Sequence, residues 1–106
     1  MITHLFNMKL EEALKKVREE NLDKQQLENY HLALSGLLAD MKIEVASLEK
    51  EKAIFMSRKE AGQSVADRKT EWGGTSQGQR LIEMKGKVSA TTTMVGSIKT
   101  RLYSIY

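Results

Sequence analysis

Leu27, Leu34, Met41, Leu48 and Phe55 recur every seven residues without a miss. An apolar residue repeated at that interval keeps one seam of a helix turned toward a partner helix, which is the coiled-coil condition. Tyr30 with Leu37, then Leu38 with Val45, supply a second row beside the first. The chain contains no proline, so no residue in this stretch removes an amide donor from the helical ladder. Asp23 with Gln26 three positions on reads as a capping box that opens the helix. Gly62 reads as its stop. The predicted helix covers 24–61 and, at roughly 1.5 Å per residue, spans about 57 Å. A compact globule of this size cannot enclose it.

A second heptad seam lies toward the C-terminus. Leu81, Met84, Val88, Thr91, Val95, Ile98, Leu102 and Ile105 alternate spacings of three and four, and Thr91 alone among them is not apolar. This predicts a helix over 76–106, with Ser76 and Gln79 as its capping pair. Gly86 and Gly96 weaken it by roughly 1 kcal/mol each relative to alanine. They mark either a close approach of a neighbouring backbone or a softer helix. A shorter helix over 8–20 follows from Leu10, Leu14 and Val17, which share one helical face. Between the long helices lies a bend at 62–75. There Ser64 with Asp67 predicts a helical turn or two ending at Trp72, and Gly73-Gly74 breaks it.

The fold class expected is all-α, a single domain over 1–106. Its two long helices fold back as an antiparallel, coiled-coil-like hairpin, and the short first helix covers part of the open side. Two helices bury one stripe each and leave a thin core, so the remaining burial is expected from other copies of the chain in a homo-oligomer. Val95→Asp would place an unpartnered charge on the seam at a cost of several kcal/mol.

Composition removes most chemistry. There is no cysteine, hence no disulfide framework, thiolate metal site or cysteine nucleophile. His4 and His31 are the only imidazoles and have no companion at a ligand spacing, so no metal site is expected. Gly73-Gly74 to Gly78 follows no strand and contains no Gly-Lys-Ser/Thr, which excludes a phosphate loop. Glu11-Glu12 and Glu19-Glu20 are adjacent pairs whose side chains diverge by about 100° around a helix, so they cannot converge as acid and base. No enzyme and no cofactor are expected. No run approaches the ~18 apolar residues of a membrane span, and the N-terminus lacks the pattern of a secretory signal.

Charge is divided unevenly. Residues 1–49 carry 6 basic and 9 acidic side chains, whereas residues 50–106 carry 11 basic and 5 acidic, net −3 against net +6. Arg58, Lys59, Arg68, Lys69 and Arg80 cluster around Trp72. Cations beside an exposed aromatic ring suit single-stranded nucleic acid, since the charges neutralise phosphates and the ring stacks a base for about 1–3 kcal/mol. The plain alternative is a charged helix surface around a packing tryptophan.

The segment Glu60-Ala61-Gly62-Gln63-Ser64-Val65-Ala66-Asp67-Arg68, then Trp72, leads to a lysine-dotted helix ending Ser97-Ile98-Lys99-Thr100-Arg101-Leu102. Over about residues 25–106 this resembles a group of small bacteriophage helical proteins, similar in pattern to phage recombination mediators of the UvsY type. The resemblance implies an all-helical oligomer in the cytoplasm of a bacterial host. It would bind single-stranded DNA and help load a recombinase, with Arg58, Lys59, Arg68 and Lys69 as DNA contacts and Arg80 as a weaker one. The chain is shorter than those mediators and places Trp72-Gly73-Gly74 at the bend. The rival expectation is a protein-interaction module, such as a phage-encoded inhibitor of a host defence complex, or an assembly factor held by its seam alone.

Overall fold

The computed structural model describes residues 10–58 and 62–105. Within them the chain is all-α: α1 is Leu10–Glu19, α2 is Lys24–Ser57, α3 is Val65–Gly74 and α4 is Ser76–Ile105. No strand occurs among the described residues.

The predicted capping box of α2 forms reciprocally. The Gln26 amide donates to Asp23 Oδ1 at 2.8 Å, and the Asp23 amide donates to Gln26 Oε1 at 3.0 Å. Each side chain thereby satisfies an amide that the first helical turn leaves without an intrahelical partner. The other end departs from expectation, because α2 ends at Ser57 and not at position 61. There the Ser57 hydroxyl donates to the Ile54 carbonyl at 2.7 Å and the Arg58 amide to the Phe55 carbonyl at 3.3 Å. These three-residue links tighten the last turn in place of a further α-helical one. Positions 59–61 lie outside the described residues. Gly62 has φ +82°, the left-handed conformation that glycine adopts without steric cost.

The stretch expected as a bend is largely helix. Ser64 and Asp67 make the predicted box, the Asp67 amide donating to Ser64 Oγ at 3.0 Å. α3 then continues through Gly73 and Gly74, and the break falls at Thr75. Glycine lowers helix propensity without forbidding the helix, whereas Thr75 offers a cap in both directions. Its hydroxyl donates to the Trp72 carbonyl at 2.7 Å and accepts from the Gly78 amide at 2.9 Å. Thr75, not Ser76, is therefore the cap of α4. A Cβ on Gly78 would collide with the Trp72 carbonyl oxygen, so this glycine is required by a close approach. Gly86 and Gly96 are not, since a Cβ at either would meet nothing nearby.

The chain divides into two compact units. One takes residues up to Asp40 together with those from Val88 onward. Its core gathers Ala13 and Val17 of α1, Leu27, Tyr30 and Leu34 of α2, and Val95 and Ile98 of α4. Arg101 reaches across to donate to the Val17 carbonyl at 2.6 Å, satisfying one of the last carbonyls of α1. The other unit is Met41–Lys87, where Met41, Leu48, Trp72, Leu81 and Met84 are buried. Most positions of the two predicted seams are buried, while Phe55, Val88 and Leu102 are half-buried. The side chain of Ile105 lies outside the described residues.

Candidate functional site

The predicted basic cluster belongs to the Met41–Lys87 unit, except for Lys59, which lies outside the described residues. Trp72, expected as an exposed ring, is only 7% exposed. Its indole packs on Phe55 with ring centroids 5.5 Å apart and planes tilted by 55°, within the tilted geometries that aromatic pairs favour. A base cannot stack on a ring already covered in this way, so the residue packs here. That correction follows from tertiary contact, because seventeen residues of sequence separate the two aromatics.

Arg68 is turned inward as well. Its side chain is 13% exposed. Nε donates to the Phe55 carbonyl at 2.9 Å, one guanidinium nitrogen donates to Glu71 Oε2 at 2.8 Å, and Cζ stands 3.5 Å from the centre of the Phe55 ring. The guanidinium thus satisfies a carbonyl in the last turn of α2 and also lies over an aromatic face. Arg80 is held by Glu44, Nε to Oε1 at 2.7 Å, and that carboxylate raises the basicity of the guanidinium. Lys85 pairs with Glu49 at 2.6 Å. The hydrogen bond from Lys85 is the main reason the Glu49 carboxyl titrates below its usual range; desolvation opposes it, and the charges of Lys85 and Lys52 add to the lowering.

Arg58 and Lys69 remain. Both are exposed, and neither makes an ion pair among the described residues. Arg58 also lines an open groove of about 440 Å³, together with the apolar Ile54, Phe55 and Trp72 and the charged Glu51 and Arg68. The groove offers apolar surface edged by charges of both signs. It brings together no nucleophile with a base, and no group of three metal-ligating side chains occurs among the described residues. No helix of the described chain is long and apolar enough to cross a membrane.

A second feature escaped the heptad reading. Leu32, Ile43 and Ile54 are 55%, 70% and 43% exposed. They stand eleven residues apart on α2, and eleven residues return a helix to within about 20° of its starting direction. The same strip takes in Gly36, Ala39 and Ala46, each exposed. Leu34, Met41 and Leu48 are buried, each about 160° around α2 from a member of the strip two positions away or from its eleven-residue equivalent. α2 therefore has two apolar faces, of which the chain covers one. The eleven-residue spacing was legible in the sequence, but the more regular seven-residue row masked it.

No protein-family model, curated protein or solved structure matches the chain.

Proposed function

We propose that this chain is a non-enzymatic helical interaction module that works by pairing helix faces with other chains, first of all with copies of itself. In this reading α2 and α4 are the two arms of a helical hairpin. Support comes from the joint burial of Leu27, Tyr30 and Leu34 with Val95 and Ile98, and from the ion pairs that link Glu44 to Arg80 and Glu49 to Lys85. The observation that carries the functional reading is the apolar strip of Leu32, Ile43 and Ile54 left open to solvent. Single exposed apolar side chains are ordinary, whereas an aligned row on one helix is what a partner helix covers. The mass of the purified chain by light scattering tests it. A multiple of the 12.0 kDa chain is expected, and a monomer at the highest soluble concentration would overturn self-assembly.

A second reading, binding of single-stranded DNA in the manner of the phage recombination mediators, is favoured by the exposed Arg58 and Lys69, which make no ion pair among the described residues. Trp72 and Arg68 take no part in this version. Two neutralised phosphates on a single strand give a slope of about −1.4 for log affinity against log salt. An oligonucleotide titration across salt concentrations should show that slope, and Arg58→Ala with Lys69→Ala should abolish it. Binding indifferent to salt, or unchanged in the double variant, would sink this reading.

A further inference from the structure

We infer that the exposed strip of α2 is the seam of a symmetric dimer, in which α2 of one copy lies antiparallel against α2 of a second copy about a two-fold axis at Ile43. The inference rests on the self-assembly reading and names its geometry. The strip is symmetric about its centre: Leu32 lies eleven residues before Ile43 and Ile54 eleven after. An antiparallel two-fold contact pairs residue i with j and j with i. It therefore sets Leu32 of each copy on Ile54 of the other, with the two Ile43 side chains meeting at the axis.

The polar members of the strip decide the direction. Lys50 lies seven residues after the centre and Gly36 seven before. In the antiparallel arrangement each Lys50 crosses the Gly36 of the other copy, where the missing side chain makes room for its methylene stem. One helical turn further along stands that copy's Asp40. Lys50 and Asp40 are both exposed, and neither has an ion-pair partner among the described residues. The dimer gives each a partner, twice over. A parallel pair would instead set Lys50 on Lys50 between the Ile43 and Ile54 layers of the seam, and like charges there repel.

Gly36 fits this crossing. It sits in the interior of α2, where glycine is unfavourable relative to alanine. A Cβ there would meet nothing within the chain, so packing inside one copy does not demand the glycine. Room for a crossing Lys50 does. Ala39 and Ala46 on either side of Ile43 keep the surface low, which lets two helix axes approach to the near end of the usual 8–10 Å range.

The absence of cysteine makes single-cysteine variants clean reporters. Leu32→Cys, Ile43→Cys and Ile54→Cys all alter exposed positions. Treated with a short thiol-reactive crosslinker, Ile43→Cys is expected to link to itself. Leu32→Cys and Ile54→Cys are expected to link when mixed and not when alone. Gly36→Leu should keep its helical circular dichroism and shift from dimer to monomer by light scattering. Self-linking of Leu32→Cys or Ile54→Cys, no linking of the mixture, or a Gly36→Leu dimer would each overturn the inference and leave self-assembly standing. A native chain that is monomeric overturns both.

Discussion

Thr91 is fully buried, and its hydroxyl has no hydrogen-bond partner. The hydroxyls of Thr92, Thr93 and Thr100 donate to carbonyls four residues back, as threonine in a helix commonly does. A buried donor left unpaired costs about 1–3 kcal/mol. Thr91→Val keeps the shape and removes the orphan, so it should stabilise by roughly 1 kcal/mol and raise Tm by about 4–8 °C in a chain of this size. Thermal unfolding followed by circular dichroism measures this, and an unchanged or lower Tm would show that the hydroxyl is satisfied. Tyr30 offers a pH test in the same unit. Burial, and then the nearby charge of Glu20, push its phenol above the ordinary tyrosine value of 10.0. A group whose folded pKa is raised contributes fully below its unfolded value and loses that contribution as pH climbs through the folded one. The native chain should therefore lose stability above about pH 10, and Tyr30→Phe should lose less in urea titrations run from neutral to alkaline pH.

At the scale of elements the junctions matter most. Thr75 closes α3 and opens α4 with one hydroxyl, and Gly78 fits beneath the Trp72 carbonyl only because it has no Cβ. Gly78→Ala would ordinarily favour a helix by about 1 kcal/mol. Here it must displace backbone, and overpacking of that kind costs roughly 1–3 kcal/mol. We expect net destabilisation at the urea midpoint with helicity retained, whereas a gain in stability would mean that the α3–α4 junction opens easily. The ends of these elements show what local sequence can encode. The boxes at Asp23–Gln26 and Ser64–Asp67 were legible because a cap spans four adjacent residues. The true cap of α4 was missed because Ser76-x-x-Gln79 resembles a capping box more closely than Thr75-x-x-Gly78 does. Thr75 also reaches the Trp72 carbonyl through its amide and its hydroxyl, whereas the Ser76 hydroxyl donates to Gln77 Oε1.

Over the molecule as a whole, the buried face of α4 and the exposed strip of α2 call for opposite responses to charge. Val95 is 9% exposed within the core shared by α1, α2 and α4, so Val95→Asp buries an unpaired carboxylate and costs several kcal/mol. That is a large part of the stability of a small domain, and the cooperative thermal transition should weaken sharply or disappear. Ile43 is 70% exposed, so Ile43→Glu should leave the monomer's helicity intact and act on assembly alone. Loss of helicity in Ile43→Glu, or an unaltered melt in Val95→Asp, would contradict this division of faces.

The two long helices, the short first helix, two capping boxes and most of the buried rows were readable from the sequence alone. Each depends on residues within a turn or two of one another, and the 3.6-residue period records them directly. The fate of the basic cluster was not readable. Arg68 meets a carbonyl 13 positions away, Arg80 a carboxylate 36 away, and Arg101 a carbonyl 84 away. Composition placed cations around a tryptophan, and only tertiary packing determined that Trp72 is covered, that Arg68 and Arg80 are engaged, and that Arg58 and Lys69 face water. A periodic pattern states which side of a helix is apolar. Which chain covers that side depends on the arrangement of whole elements, and so does whether a charge already has its partner.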